Sequence, residues 1–507
     1  MNILMLKAFW PEIFFSISII CILIFNAVQL NDLKNKFPIL NNEIYFQVYT
    51  ILFFVFLLFL NNGICIFDKD YYFIHDLTSQ NTKIAVSGFF LLFFGIIWRA
   101  FLIERLNFFE YFIILLLAVL ALFLLSSAYN LLSIYLCLEL QSMCFYVLSA
   151  FNRTSPFSSE SGFKYFVSSS VFSGLFLLGC AFFFGGYGTL NLHAISIFNE
   201  TNLIESSSTL TTFISVGCVF IIIVFLFKLV IAPFHVWFPQ IYDGAPLSST
   251  IAFTTLPKIV VFTVFLRFWS AMLPITSSLQ DALFFVGVIS IFFGIWKAMQ
   301  QKRLKKLYIY SSISQMGLPL CALTFCAVNS FTIVYFFLFI YLITSVIMWS
   351  TFVLLNSNQH IAFAGAGEKT LYSVYISSLK NLSVHNAALA FVFLALLFSL
   401  AGIPPFAGFL SKVYVYCSLI SEQKYEIAAL VIYISSFGVY YYIKLLKIIF
   451  YENKALTYHA KEQSLFNSPN LDLDCLILAF TMFLLLFLCF YPNMVFLYAA
   501  QFVPYFF

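Results

Sequence analysis

Residues 225–258 read FLFKLVIAPFHVWFPQIYDGAPLSSTIAFTTLPK, and this stretch predicts the class of fold. An apolar run carries Lys228 near its middle and is interrupted by Pro233, and a second apolar run carries Lys258. Helical runs of this length cross a bilayer of roughly 30 Å, so two ammonium groups lie within membrane-length segments. Ionisable groups at that depth are costly and are expected to have a function.

The rest of the chain is equally apolar. Of its 507 residues, 63% are hydrophobic and 9% are charged. Apolar runs of about 18 residues or more recur along it, which predicts an all-α polytopic membrane protein without soluble domains. The charges lie in short loops, so no nucleic-acid partner is expected. The eleven cysteines form no C-x-x-C pair or Cys/His cluster and are interpreted as packing residues, with no metal site.

Counting the apolar runs predicts about fourteen transmembrane helices. The spans centre on Ile20, Val55, Phe93, Leu117, Glu139, Leu175, Val224, Val260, Ile291, Met316, Ile343, Gly402, Tyr440 and Leu484. The seventh and twelfth are longer than a straight span needs and contain proline, so both are predicted to be broken. The longest loop, about 356–385, is expected to hold one amphipathic surface helix, Tyr372–Leu382.

The distribution of lysine and arginine predicts the orientation. Loops after odd-numbered spans carry seventeen of the twenty-five basic residues, whereas the termini and the even-numbered loops carry five, Lys83 and Arg267 among them. Basic loops stay on the side from which a membrane protein is inserted. Both termini are therefore predicted on the opposite, outer side.

Four ionisable residues fall near the middle of spans: Glu139, Lys228, Lys258 and Lys412. Each costs about 2.5–3.5 kcal/mol at a helix centre. One interpretation is that they pair only to hold helices together. The other is a path for protons or ions, which is favoured because three of the four lie on or next to predicted helix interruptions.

The interruptions are predicted from the residues that break helices. Pro233 displaces the carbonyl of Leu229, and Pro257 displaces that of Phe253. The predicted break of the twelfth span involves Gly402, Pro404 and Pro405, which disturb the carbonyls of Leu400 and Ala401. Broken backbone at membrane depth is tolerated where it is buried in protein or lines a hydrated cavity.

A lysine and a glutamate together suit a switchable proton site, because a nearby carboxylate stabilises the ammonium that burial disfavours. Moving Glu139 relative to Lys228 is expected to change whether Lys228 holds its proton. His235 is either a proton relay or a cap of the broken helix, and Ser311 and Ser312 either hold water or pack. His75, His193, His360 and His459 are interpreted as loop residues without convergent partners, and His385 as interfacial.

Several motifs together resemble a known family. ELQSMCFYVLSA, SGFKYF, FKLVIAPFHVWFPQIYDGAP, LPKIVVF, YSSIS and SLAGIPPFAGFLSK are similar to the subunit 2 family of respiratory NADH:ubiquinone oxidoreductase (complex I), which also includes multi-subunit sodium–proton antiporters. The resemblance covers most of the chain and is densest from about Tyr135 to Lys412. It resembles the full-length, fourteen-span form.

The resemblance implies a proton-translocating membrane-arm module, driven by quinone reduction in other subunits. It implies two inverted five-helix repeats, 106–272 and 273–452, between an N-terminal three-helix segment, 1–105, and a C-terminal loop and span, 453–507. Glu139 and Lys228 match the family's paired glutamate and lysine, Lys258 its next station, and Lys412 the residue near the outlet. Many relatives have histidine where Gln315 stands, so this part of the route is expected to differ or to use water.

The resemblance also implies the partners. No cofactor is expected in this chain, and NADH, FMN, iron–sulfur clusters and ubiquinone are expected in other subunits. Other membrane-arm subunits, including neighbouring antiporter-like subunits, and membrane lipids are the expected partners. The motifs ELQSMCFYV and FWPEIFF favour the mitochondrial inner membrane, with both termini in the intermembrane space, over a plastid or bacterial origin. The alternatives are a free-standing or Mrp-type sodium/proton antiporter subunit and a structural scaffold subunit.

Overall fold

The computed structural model describes residues 7–32, 37–63, 72–104, 106, 108–200, 208–272, 277–323, 328–362, 375–380, 382–452 and 472–501. In these ranges the chain is built from helices, and the pairings of β type are isolated bridges such as that between Phe73 and Ala128. Expectations for His459 and for the side chain of His360 fall outside the described residues.

The described residues in the first half of the chain form eleven helices. They are α1 (Trp10–Asp32), α2 (Phe37–Asn61), α3 (Leu77–Ile103), α4 (Glu110–Ser127), α5 (Leu131–Ser149), α6 (Pro156–Tyr187), α7 (Leu192–Glu200), α8 (Ser208–Lys228), α9 (Trp237–Gly244), α10 (Leu247–Thr254) and α11 (Leu256–Met272). Side chains fix several starts: Asp76 and Ser79 form a capping box at α3, and Asn130 and Ser133 form one at α5.

In the second half, nine more α-helices fall within the described ranges. They are α12 (Ser277–Met299), α13 (Leu304–Leu323), α14 (Val328–Ala362), α15 (Leu382–His385), α16 (Ala387–Ala401), α17 (Ala407–Ser421), α18 (Tyr425–Phe450), α19 (Asp472–Phe490) and α20 (Asn493–Ala500). The predicted surface helix in the long loop is wrong in the described part, where a short 3-10 turn, Ile376–Leu379, precedes α15.

Thirteen of the fourteen predicted span centres fall within a helix, and the other, Gly402, lies between α16 and α17. Eleven described helices are long and apolar enough to cross a membrane, or twelve if α19 and α20, bent by 87°, form one span. The remaining two predicted spans are α13, which has a lower hydropathy, and the pair α16 and α17, whose halves are 15 residues each. The prediction of an all-α polytopic membrane fold is confirmed.

The breaks lie where proline and glycine predict them, with one addition. In the seventh span α8 ends at Lys228, and in the twelfth α16 ends at Ala401 with Gly402 in the left-handed conformation at φ 79°. The eighth span is also broken, because Thr255 separates α10 from α11. The seventh and twelfth spans are the two predicted to be broken, and the break in the eighth lies beside Pro257, which the sequence also marks as a helix-breaking residue.

Helix contacts group the chain into two compact units. The first contains the chain up to Val230 and Gln240–Leu279, and the second contains Ile231–Pro239 and Gln280–Ala500. In the first, α11 is buried along nearly its whole length, and α6 packs closely on α8 where Gly179 meets Gly217. In the second, α14 is buried and contacts α13, α16, α17 and α19.

Candidate functional site

In the first unit, Glu139 and Lys228 are both half-buried and lie within electrostatic range of each other. Glu139 lies in the middle of α5 and Lys228 is the last residue of α8. The carboxylate of Glu139 is the charge that acts most directly on the Lys228 ammonium. No ion pair within 4 Å joins them among the described contacts, so the predicted pair is separated in this conformation.

Lys258 lies immediately after the break in the eighth span. Its backbone N–H donates to the carbonyl of Thr255 at 3.3 Å, and its side chain is 2% exposed. The whole stretch Leu247–Met272 is buried. Pro257 lies at the start of α11, where its missing N–H does not cost a helical hydrogen bond. The break therefore lies at Thr255, two residues before the proline that predicts it.

The start of the broken eighth span is held by a carboxylate that the sequence analysis missed. Glu104, at the end of α3, accepts hydrogen bonds from the backbone N–H groups of Leu247 and Ser248 and from the Ser248 hydroxyl. The N-terminus of a helix favours an anion through its unpaired N–H groups and its dipole. In the sequence, Glu104 simply follows an apolar span, and this pattern does not indicate its contact with Leu247 and Ser248.

In the second unit, Lys412 binds the carbonyls that the twelfth-span break releases. Its ammonium donates to the carbonyl of Leu400 at 2.7 Å and to that of Ala401 at 2.9 Å. These are the two carbonyls that the sequence predicts to be disturbed. The break is thus stabilised by the charge beside it, because a buried carbonyl without a partner is costly.

Gln315 shares one of these acceptors. Its side-chain amide donates to the carbonyl of Leu400 at 3.3 Å. A cavity of about 20 Å³, lined by Gln315, Thr344, Ser399 and Lys412 among others, lies beside it. This volume admits about one water molecule. The hydroxyl of Ser399 is buried and has no hydrogen-bond partner among the described residues, so the cavity has a polar wall.

The serines before Gln315 bond to their own helix. Ser311 donates to Tyr308 and Ser312 to Ile309, each at 2.8 Å. Buried tyrosines face this part of α13: the Tyr442 hydroxyl faces Gln315 and Ser311, and that of Tyr341 faces Ser312. No local sequence pattern distinguishes these two tyrosines from the others, because the chain contains 29 tyrosines and is rich in aromatic residues.

His235 and Pro233 lie in the segment between α8 and α9 that belongs to the second unit. The His235 carbonyl accepts from the N–H of Phe238 at 3.1 Å and so begins α9. Its imidazole packs 6.1 Å from the ring of Phe293, and its Nδ1 is buried without a hydrogen bond. The backbone carbonyl of His235 therefore caps α9, and Nδ1 of its imidazole, unpartnered among the described residues, remains able to exchange a proton.

One cluster of charges contradicts the sequence interpretation. Lys83 and Arg267 are counted from the sequence as loop residues, and His75 as a loop residue without convergent partners, but all three are at most 5% exposed. Lys83 donates to Glu12 at 2.5 Å, and Arg267 to Asp76 at 2.6 Å. The error arose because Lys83 and Arg267 lie near span ends, where hydropathy alone does not separate a buried charge from a loop charge.

Within the described ranges, no group of three or more His, Cys, Asp or Glu side chains has an arrangement that could hold a metal ion. The described cysteines are all free thiols.

Comparison with known proteins identifies a family and several relatives of this chain. The transmembrane family of NADH:quinone oxidoreductase and Mrp antiporters matches residues 128–438. Subunit N of the NADH-quinone oxidoreductase of Pelagibacter ubique is 34% identical over 454 residues, 88% of this chain and 90% of that protein. Chain 2 of the NADH-ubiquinone oxidoreductase of Marchantia polymorpha is 30% identical over 501 residues, 97% of each chain.

Solved structures share the fold at lower identity. A chain of respiratory complex I from Thermus thermophilus superposes with a TM-score of 0.72 at 22% identity, covering 97% of this chain and 99% of that one. A chain of the Mrp complex from Dietzia sp. superposes with a TM-score of 0.79 at 15% identity, covering 98% and 97%. On these matches, the chain belongs to the NADH:quinone oxidoreductase/Mrp antiporter transmembrane family, as a member of the complex I subunit N or chain 2 group.

Proposed function

We propose that this chain translocates protons across the membrane through Glu139, Lys228, Lys258 and Lys412. One observation carries the proposal: each of the three intramembrane lysines lies at a helix break. Lys228 ends α8, Lys258 follows the break at Thr255, and Lys412 bonds the two carbonyls released before Gly402. Broken backbone that lines an internal cavity gives such groups access to water and to each other.

In this proposal the chain acts as a membrane-arm subunit of a respiratory NADH:ubiquinone oxidoreductase. The names of its relatives support this placement. It carries no redox group; NADH, FMN, iron–sulfur clusters and ubiquinone belong to other subunits, and quinone reduction there drives the lysines. Neighbouring antiporter-like subunits and lipid are its partners. The two inverted repeats, 106–272 and 273–452, and the location in the mitochondrial inner membrane are parts of the same proposal.

Further residues are proposed as relay or hydration groups for these charges. We assign this role to His235, Gln315, Ser311 and Ser312, with water in the cavity beside Lys412. The buried unpartnered Nδ1 of His235 and the polar lining of that cavity support the assignment. Gln315 has no titratable nitrogen, so it orients a proton carrier and does not itself take a proton.

Substitution of single charges in the assembled complex tests the proposal. Lys228→Met and Glu139→Gln are expected to retain NADH oxidation but to transfer fewer protons per NADH in lipid vesicles. Lys164→Gln is the control, because Lys164 is exposed and pairs only with Glu160 on its own helix. Unchanged proton transfer in both variants would support the scaffold alternative instead.

The structural match to an Mrp chain favours a second candidate, a sodium/proton antiporter subunit. Purification distinguishes the two. A respiratory subunit co-purifies with flavin and iron–sulfur clusters and pumps only during NADH oxidation, whereas an antiporter exchanges sodium for protons without NADH.

A further inference from the structure

A second buried Glu/Lys pair lies in the first unit, apart from the four proposed charges. Glu12 is in the first turn of α1, and Lys83 is in the second turn of α3. Their side chains are 4% and 1% exposed, and the Lys83 ammonium donates to Glu12 Oε1 at 2.5 Å. A charge-assisted hydrogen bond this short is a direct route for a proton between nitrogen and oxygen.

Two polar atoms of the cluster have no hydrogen-bond partner among the described residues. They are Glu12 Oε2 and His75 Nε2, both buried. The His75 nitrogen lies 4.0 Å from Glu12 Oε1. Buried polar atoms are almost always paired with protein or water. One of these atoms belongs to the Glu12 carboxylate and the other lies beside it. Their lack of partners indicates that a proton passes between Glu12 and His75.

The surrounding charges are balanced and fixed. Arg267 donates to Asp76, Thr78 and the carbonyl of Ser126, so this second ion pair is fully bonded. Tyr129 is the other titratable group that faces Arg267 and Asp76. With Glu12 and Asp76 negative, Lys83 and Arg267 positive and His75 neutral, the cluster is neutral.

The location is at one membrane face. Spans α1 and α3 begin at this cluster, and α4 and α11 end beside it through Ser126 and Arg267. The ring of Phe9 covers it, 4.2 Å from the His75 ring and 5.7 Å from the Lys83 ammonium. His75 lies in the segment before α3, outside the apolar spans, and is 5% exposed.

We propose that Glu12, Lys83 and His75 form a second proton-carrying site, which exchanges one proton with the aqueous phase at the face where α1 begins. The inference rests on the proposed function, since it supplies that pathway with a terminal group. Three steps balance the proton. The Lys83 N–H bond breaks as a Glu12 O–H bond forms, leaving a neutral amine and a neutral acid. The proton then moves from Glu12 to His75 Nε2, and the imidazolium releases it to water.

In these steps the positive charge of Lys83 is transferred through Glu12 to His75. Burial, followed by the charges of Lys83 and Arg267, lowers the pKa of His75 to about 2, so the imidazole is neutral while Lys83 is charged. Burial continues to disfavour the imidazolium, but loss of the Lys83 proton removes the next largest cause and makes His75 a better acceptor for that proton. Lys83 is then recharged by a proton from the membrane interior.

His75→Gln is the most informative variant, since it leaves the Glu12–Lys83 ion pair intact. The readout is protons transferred per NADH by the assembled complex in vesicles. The proposal expects a loss of proton transfer with NADH oxidation retained, whereas a structural cluster expects no change. Glu12→Gln combined with Lys83→Gln is the second variant, which removes the pair without leaving a lone buried charge. Glu160→Gln combined with Lys164→Gln, an exposed pair, is the matched control.

Lys228→Met measured in parallel separates the two proposals. If Lys228→Met lowers proton transfer and neither cluster variant does, the second site is refuted and the main pathway stands. If Lys228→Met has no effect either, the proposed function itself fails. A loss in His75→Gln with a normal Glu160/Lys164 control supports the site.

Discussion

The ammonium of Lys412 has three donors and uses two of them on the carbonyls of Leu400 and Ala401. The third is available to the cavity that Lys412 lines with Ser399. One water molecule in this cavity would link the Lys412 ammonium to the unpartnered hydroxyl of Ser399, and a nonpolar group at position 399 would exclude it. No sequence pattern marks Ser399, which supplies this hydroxyl to the cavity beside Lys412.

Ser399→Val tests this link. Valine fills the cavity of about 20 Å³ and removes the hydroxyl, so we expect less proton transfer per NADH while NADH oxidation is kept. Ser436→Val is the control, because Ser436 is exposed and its hydroxyl bonds to its own helix. Equal proton transfer in the two variants would show that the cavity carries no protons.

His75 also makes a prediction about pH. Its pKa is lowered from 6.5 to about 2, mainly by burial and then by Lys83 and Arg267. Below the unfolded pKa the unfolded chain binds a proton that the folded chain does not, so the stability decreases as the pH is lowered, by up to about 1.4 kcal/mol per pH unit. The window runs from 6.5 down toward the folded value.

Thermal unfolding of the purified complex between about pH 7 and about pH 5 measures this loss. His75→Gln is expected to unfold with a smaller dependence on pH in that window. An identical pH dependence in the variant and the unaltered chain would mean that His75 is not the responsible group.

At the scale of the element, the half-helix α10 depends on a residue far away in sequence. Glu104 accepts from two backbone N–H groups at its start, and Lys258 follows its end after one break. Glu104→Ala leaves these donors buried and unpaired, at a cost of about 1–3 kcal/mol. We expect a lower unfolding temperature than in Glu110→Ala, which removes an exposed carboxylate in the next helix. Similar temperatures would show that the cap contributes little.

Gly402 fixes the twelfth-span break through its backbone. Its φ is 79°, and an added Cβ would lie 2.8 Å from Lys412 Cδ. Gly402→Ala therefore combines about 1–2 kcal/mol of backbone strain with displacement of Lys412. We expect reduced stability and reduced proton transfer. Gly174→Ala, where a Cβ meets nothing within 4 Å, is the matched control and should behave as the unaltered chain.

At the scale of the whole molecule, the lysine and arginine distribution predicts the orientation in the membrane. Several of the basic residues behind this prediction lie outside the described ranges. Thr154, in the exposed loop between α5 and α6, is predicted on the inner side, and Gly63, after α2, on the outer side. A membrane-impermeant maleimide applied to the outer side of the sealed membrane should label Gly63→Cys and not Thr154→Cys. Labelling in the reverse order would invert the topology.

The sequence by itself determined the membrane class, the positions of the spans and the residues at which proline or glycine interrupts them. It did so because hydropathy, charge and the missing N–H of proline act locally along the chain. The carbonyls that Lys412 binds were predictable for the same reason, since the break and the lysine are neighbours in sequence.

Only the tertiary structure decided which distant groups meet. Glu104 caps α10 from 143 residues away, and Lys83 meets Glu12 across 71 residues. A carboxylate near a span end has the same local pattern whether it faces water or a buried lysine, and packing decides between them. The tyrosines around Gln315 are a third case, because their burial follows from how α13 and α18 pack and not from their own neighbours in the chain.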